Sequence, residues 1–133
     1  MRTLLLLIAF TVLGGVITAC GGEASHADLE GTFFLHDRGE KQELFRIEQK
    51  DGQYFLSEKK NGPGWLEPQL AEPMQASELE EFIGSPVQVP FVGLKSTRLA
   101  VMKMPPGWEH QDFSTVTGYW AMSQLGPLPL HKK

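Results

Sequence analysis

The chain has 133 residues with 16 acidic and 12 basic side chains, and its formal net charge is −4. This acidity argues against a nucleic-acid partner, because nucleic-acid binding depends on clustered lysine and arginine. The single cysteine excludes an intrachain disulfide framework and a thiolate zinc cluster. The fold must therefore be held by packing, for which eight phenylalanines and three tryptophans are present.

Residues 1–19 have the pattern of an export signal. Arg2 supplies the only charge, the next eleven residues are almost wholly apolar, and two adjacent glycines then weaken helix formation. The segment ends in the sequence ITAC at positions 17–20. This segment resembles a bacterial lipobox, with isoleucine where leucine is commoner, and the chain is similar to a bacterial lipoprotein over residues 1–20.

The resemblance implies cleavage before Cys20, attachment of a diacylglyceryl group to its thiol, and acylation of the new amino group, for example with palmitate. Two or three acyl chains hold a protein stably on a bilayer, whereas one does not. Residues 1–19 are thus the predicted signal peptide, and Cys20 is the predicted lipidation site. An uncleaved membrane helix and simple secretion are the alternatives. The 17 residues before Cys20 that follow Arg2 lie at the lower limit for spanning a bilayer.

The residue after the lipidated cysteine predicts which membrane holds the protein. In lipoproteins of Gram-negative cells, aspartate at that position favours the inner membrane. Gly21 therefore predicts the periplasmic leaflet of the outer membrane, provided that the cell is Gram-negative. Cleavage leaves 114 residues with a net charge of about −5, since Arg2 is the only charge removed. That length suits one domain with a modest core.

Residues 20–30 are small and polar and are predicted to form a flexible tether ahead of a compact domain at 31–125. The domain opens with three predicted strands, at 32–36, 43–50 and 53–59. Asp51-Gly52 joins the second and third as a tight hairpin, because type I′ turns require positive φ at both central residues.

Residues 66–74 contain two prolines and are predicted to form an extended loop. Ser77 and Glu80 match a capping box, which predicts a short helix at 76–83. Three further strands are predicted, at 87–92, 97–104 and 113–123. The tail at 126–133 is predicted to be a loose strap, since its prolines cannot donate ladder hydrogen bonds.

These elements predict a mainly β fold with one short helix, either a small antiparallel β-sandwich or a barrel-like sheet. Pro90 restricts its strand to an edge or a bulge. The helix is expected to close one end of the sheet.

The sequence Pro-Gly-Trp occurs twice, ending at Trp65 and at Trp108. Trp65 and Trp108 are the candidate binding residues, presented on two equivalent loops, because tryptophan combines a large contact area with one polar atom. The alternative is that Pro-Gly makes ordinary turns and each indole packs over an end of the core.

No catalytic residue, metal site or cofactor is predicted. His110 and Asp112 are spaced to share one face of a strand, but zinc sites need three or four ligands. The chain contains no serine-centred elbow, phosphate loop or HExxH sequence. Glu78, Glu80 and Glu81 are interpreted as charges favoured near a helix N-terminus, with an acidic contact patch as the alternative.

The sequence thus predicts a lipoprotein of the bacterial envelope that acts as a protein-binding module of the inhibitor, immunity or accessory type, and not an enzyme. One alternative is a lipocalin-like carrier of a small apolar ligand, with a cavity lined by Phe34, Phe45, Phe55 and Val101. Another is a structural subunit of an envelope assembly.

Overall fold

The computed structural model describes residues 25–133, which form a mainly β domain with one short α-helix. The helix α1 spans Ala76–Ile83, and a 3₁₀ helix at His26–Leu29 precedes the first strand. The strands are β1 Gly31–Asp37, β2 Glu40–Lys50, β3 Gln53–Glu58, β4 Gln69–Pro73, β5 Val92–Lys95, β6 Ala100–Lys103, β7 Trp108–His110, β8 Phe113–Thr115, β9 Tyr119–Ser123, β10 Gly126–Pro129 and β11 His131–Lys132.

Nine strands form one antiparallel sheet in the order β10-β9-β6-β5-β4-β3-β2-β1-β11, and β7 and β8 form a separate hairpin. The large sheet is nearly closed, because its two end strands are separated in the chain by Leu130 alone. The mainly β prediction is confirmed, and of its two architectures the barrel-like sheet is the one observed.

The C-terminal segment closes the sheet by pairing on both sides. β10 pairs with β9, β11 pairs with β1, and the Leu130 N–H between them donates to the Tyr119 carbonyl at 3.0 Å. This segment is therefore part of the ladder and not the predicted loose strap. Pro127 and Pro129 fit because β10 is a terminal strand of the sheet order, where a missing N–H on the outer side breaks no ladder bond.

The hairpin between β2 and β3 is confirmed. Lys50 pairs with Gln53, and the two residues between them have positive φ, 53° at Asp51 and 76° at Gly52. A two-residue type I′ turn requires positive φ at both central residues, and both angles meet this requirement.

A first core fills the inside of the sheet. Leu29 of the 3₁₀ helix is fully buried in it, so the domain begins earlier than the predicted boundary at residue 31. Residues 20–24 of the predicted tether lie outside the described residues. The first core contains Leu29, Phe33, Phe45, Ile47, Leu56, Ala71, Val92, Leu94, Val101, Ala121 and Leu130.

A second core lies on the opposite face of β6 and β9. Along β6, Val101 belongs to the first core, whereas Ala100 and Met102 belong to the second. Because side chains alternate along a strand, β6 is buried on both faces. The second core contains Met74, Leu79, Ala100, Met102, Met104 and Trp120, and partly buried side chains of α1, β7, β8 and the segment 85–91 pack against it.

The helix has the predicted bounds but a different cap. Gln75 is the N-cap residue, and its N–H donates to the Glu78 carboxylate at 2.8 Å. Ser77 lies inside the first turn, so the observed capping pair stands two residues before the predicted pair of Ser77 and Glu80. The chain ahead of α1 also differs from prediction, because β4 forms within the expected loop at 66–74, and its proline stands at the last strand position.

The later strands are shorter than predicted. Residues 87–91 are not a strand, since Pro86 and Pro90 remove N–H donors, and β5 begins at Val92. The Ser96 N–H donates to the Leu99 carbonyl at 2.8 Å and closes a turn. Because of this turn, β6 begins at Ala100 and not at the predicted residue 97. The predicted strand at 113–123 is split into β8 and β9.

Candidate functional site

The two candidate tryptophans have different surroundings. Trp65 forms a β-bridge with Lys59, and its ring lies 4.9 Å from the Arg46 guanidinium and 5.5 Å from the Lys59 ammonium. The same ammonium donates to the carbonyls of Gly62 and Gly64, at 2.6 and 3.2 Å. Trp65 therefore serves to hold a turn against the outside of β2 and β3 through cation–π contacts.

Trp108 lies in β7 and packs on the second core. Its ring stacks on Trp120 with centroids 5.5 Å apart and meets Phe113 at 6.3 Å. Phe113 also contacts Trp120, at 5.2 Å. The structure therefore does not make the two Pro-Gly-Trp segments equivalent, and it places Trp108, not Trp65, among other aromatic rings.

A groove runs beside this aromatic group, and we call it the Trp120 groove. Its volume is about 400 Å³. Phe82, whose side chain is 45% exposed, stands at its edge. The lining residues come from α1, the β7–β8 hairpin, β9 and β10, and they are Phe82, Ile83, Trp108, His110, Gln111, Asp112, Phe113, Trp120, Met122 and Pro127.

A second groove of about 440 Å³ lies along β7 and shares Ile83, Trp108 and His110 with the first. Its other wall is the segment 85–89, and Glu109 also lines it. We call it the β7 groove. At the junction of the two grooves, His110 Nε2 lies 2.9 Å from the Ile83 carbonyl oxygen, which fixes the hairpin to the C-terminal end of α1.

The geometry of this region depends on local features of the chain. Gln111 has a φ of 54° in the two-residue turn between β7 and β8. A residue other than glycine therefore adopts the left-handed conformation in this hairpin, which is uncommon. At the other side, Lys95 pairs with Glu78 and ties α1 to β5. The pKa of the Glu78 carboxyl is held below its usual value, first by its hydrogen bond with the Lys95 ammonium and to a smaller extent by the hydrogen bond from the Gln75 N–H.

Trp120, one of the residues that line the groove, carries a buried polar atom that has no hydrogen-bond partner among residues 25–133. Trp120 is 1% exposed, and its Nε1–H donates to no acceptor among residues 25–133. Buried donors are nearly always paired, and an unpaired one costs about 1–3 kcal/mol. An acceptor that reached this N–H would remove that cost.

The charges that line the two grooves are acidic. Asp112 lines the first and Glu109 lines the second, and both are exposed. Neither groove has lysine or arginine in its lining. With His110 engaged at the Ile83 carbonyl, the region offers an apolar surface with negative charge at its edge.

His110 and Asp112, whose spacing would allow them to share one face of a strand, do not share one. Asp112 lies in the turn, whereas His110 is the last residue of β7. Within residues 25–133 no three histidine, cysteine or acidic side chains are grouped closely enough to hold a metal ion. Cys20 lies outside the described residues.

The four residues predicted to line a carrier cavity are divided between the faces of the sheet. Phe45 and Val101 belong to the first core. Phe34 instead packs with the rings of His36 and His131, at centroid distances of 5.3 and 5.5 Å. Phe55 lies in register with exposed residues of β2 and β4. Because side chains alternate along a strand, the Phe55 side chain points to the opposite face from that of the inward-facing Leu56.

Sequence reasoning missed the β7–β8 hairpin and Trp120 as parts of a site. Trp120 lies within the predicted strand at 113–123, but the lack of a partner for its Nε1 among residues 25–133 is a tertiary property. The hairpin has alternating residues on both sides of Gln111-Asp112, a usable signal, yet this pair lacks the glycine that marks most two-residue turns.

Comparison of the chain with known protein families, with curated proteins and with solved structures finds no match. In the part of the chain from residue 25 onward, no helix has the length and apolar character needed to cross a membrane.

Proposed function

We propose that this protein is an envelope lipoprotein, anchored through acylated Cys20, whose barrel-like domain binds a protein partner at the Trp120 groove. The observation that carries the proposal is an open aromatic groove lined in part by Trp120, whose buried Nε1–H has no acceptor among residues 25–133. Binding sites in proteins combine apolar walls with a few convergent polar groups in this way.

The groove also has the composition of a contact surface. Tryptophan and other aromatic residues are enriched at the centres of protein interfaces, where they contribute most of the binding energy. Phe82 leaves 45% of its side chain exposed at the groove edge and supplies an apolar anchor. A protein partner rather than a catalytic substrate is favoured, because the groove lining contains no nucleophile next to a base.

The test compares two apolar residues of nearly equal exposure. Phe82 lines the groove and is 45% exposed, whereas Leu70 lies on the outside of β4 and is 44% exposed. The tagged full chain is crosslinked in cells and purified from the envelope with its partners. Phe82→Ala should lower the yield of the crosslinked partner at least fivefold, and Leu70→Ala should leave it unchanged.

Equal yields from the two variants would contradict the groove as the binding site. A lipid-sized adduct in native mass spectrometry, lost in Phe82→Ala but not in Leu70→Ala, would instead favour the carrier alternative.

The anchor has a separate test. Metabolic labelling with palmitate should mark the wild-type chain and not Cys20→Ser, and the variant should move from the membrane fraction to the periplasmic fraction. Equal labelling of both would contradict lipidation at Cys20 while leaving the groove result intact.

A further inference from the structure

The Trp120 groove and the β7 groove form one elongated surface. They share Ile83, Trp108 and His110, and they lie on the two sides of the contact between His110 and the helix end. Their volumes, about 400 and 440 Å³, are each large enough for one or two side chains. An elongated pair of grooves along a strand fits an extended chain better than a compact ligand.

The strand between these grooves has an unpaired edge. Among residues 25–133, β7 pairs with β8 alone. The two-residue turn makes His110 and Phe113 a hydrogen-bonded pair, and such pairs alternate along an antiparallel ladder. Glu109, the middle residue of β7, therefore directs its backbone N–H and C=O away from β8, and Glu109 itself lines the β7 groove.

An unpaired edge of this kind can accept another strand. In strand addition, an extended peptide contributes main-chain hydrogen bonds, and side-chain grooves provide the specificity. The facing segment 85–89 contains one proline and does not pair with β7, so the space beside Glu109 is free of a competing strand.

The charges that line the two grooves favour particular side chains in such a peptide. Asp112 and Glu109 are the charged residues of the two linings, and both are acidic. Asp112 lies beside the aromatic rings of Trp108 and Phe113, whose faces also attract cations. A lysine or arginine next to an apolar side chain complements this combination, and an acidic peptide or a second copy of this acidic chain does not.

We infer that the occupant is an extended peptide segment of the partner that alternates apolar with basic side chains and adds to β7 as a third strand. One carbonyl oxygen of this segment accepts the Trp120 Nε1 hydrogen. This inference rests on the proposed function, since it names the chemistry that the same site recognises.

The test uses the acylated full chain in phosphatidylcholine nanodiscs, whose uncharged surface does not attract basic peptides. Its tryptophans are labelled with ¹⁵N, so each gives a separate indole N–H resonance. The probes are an acetylated, amidated octapeptide of alternating valine and arginine, the same peptide with glutamate for arginine, and the first peptide with methylated valine backbone nitrogens.

The arginine peptide should move the Trp120 indole resonance downfield and slow its exchange with solvent. The glutamate peptide and the methylated peptide should bind at least tenfold more weakly, the former through charge and the latter through loss of strand addition. The double substitution Asp112→Asn with Glu109→Gln should weaken binding of the arginine peptide at least tenfold. The matched control, Glu67→Gln with Glu72→Gln, neutralises two exposed acids outside both grooves and should leave binding unchanged.

Equal binding of the arginine and glutamate peptides, equal binding of the methylated peptide, or binding that leaves the Trp120 resonance in place would overturn the inference. So would an absence of binding by every peptide. In that last case, the Phe82→Ala crosslinking result still decides the proposed function independently.

Discussion

The same tripeptide, Pro-Gly-Trp, occurs in two regions of this domain and has two different roles. At Trp65 the ring covers two basic side chains on the outside of β2 and β3. At Trp108 it stacks on Trp120 and forms a wall of the candidate binding groove. The tripeptide specifies a local turn, whereas the side chains of neighbouring strands determine what the indole contacts.

Packing around the glycines differs between the Trp65 turn and the turn before β9. At Gly118, before β9, an added Cβ would lie 2.1 Å from the Met104 carbonyl oxygen. At Gly64 the nearest atom to an added Cβ is the Lys60 side chain at 3.7 Å, and at Gly107, the glycine of the second tripeptide, no atom of residues 25–133 apart from its chain neighbours lies within 4 Å. The tight packing is therefore a property of the turn before β9 and not of either Pro-Gly-Trp segment.

The largest effect is expected from Gly118→Ala. Its φ of 87° and the clash with the Met104 carbonyl together should lower the free energy of unfolding by about 4 kcal/mol. Gly64→Ala has a φ of 100° but only a loose contact, and should cost about 1–2 kcal/mol. Urea unfolding of both variants measures the difference, and equal losses would contradict the contrast in packing.

The next effect separates the two tryptophans. Trp108→Ala removes a half-buried ring from the second core and should cost about 3 kcal/mol. Trp65→Ala removes mainly cation–π contacts at a partly exposed site and should cost about 1 kcal/mol. Thermal unfolding of the pair, followed by circular dichroism, tests this order. A larger loss for Trp65→Ala would reverse the assignment of roles.

A smaller effect is expected at Lys59. Lys59→Met keeps the aliphatic stem but removes two hydrogen bonds to turn carbonyls and one cation–π contact, at a cost of about 0.5–1 kcal/mol. The variant should change the fluorescence of Trp65 while leaving partner crosslinking at wild-type yield. A loss of crosslinking would connect the two regions and contradict their independence.

The smallest effect is a pH-dependent one at Glu78, which ties α1 to β5. Because its pKa is lowered in the folded state, its contribution is present above the unfolded pKa and is lost as the pH falls through the folded value. Glu78→Gln should therefore melt slightly below wild type at pH 7, and the two melting temperatures should converge as the pH falls below the ordinary range of a glutamate carboxyl. A difference that persists unchanged down to the acid limit of the folded protein would show that the carboxylate charge is not its cause.

The sequence predicts the parts of this fold that local chemistry controls. Asp51-Gly52 specifies a turn by its own φ preferences, and α1 has the predicted bounds although its capping pair lies two residues before the predicted one. The sequence does not predict that β10 pairs with β9 or that β11 pairs with β1. Proline is compatible with a strand at the edge of a sheet, and whether a strand lies at an edge is decided by the tertiary fold.

The candidate site was predicted in part. Trp108 was selected from its sequence and does line the groove, whereas Trp65 was selected on the same grounds and does not. Within residues 25–133, the Trp120 Nε1 without an acceptor and the edge of β7 without a neighbouring strand depend on tertiary placement, as does the contact of His110 with Ile83. No local pattern encodes them.

The most direct test of the central claim measures the accessibility of the two candidate tryptophans in the complex with the crosslinked partner. Acrylamide quenching is compared between Trp65→Phe, which retains Trp108 and the buried Trp120, and Trp108→Phe, which retains Trp65 and Trp120, each with and without partner. Binding at the Trp120 groove predicts that the partner reduces quenching in Trp65→Phe by at least half and leaves Trp108→Phe unchanged. Protection of Trp65 alone would contradict the account.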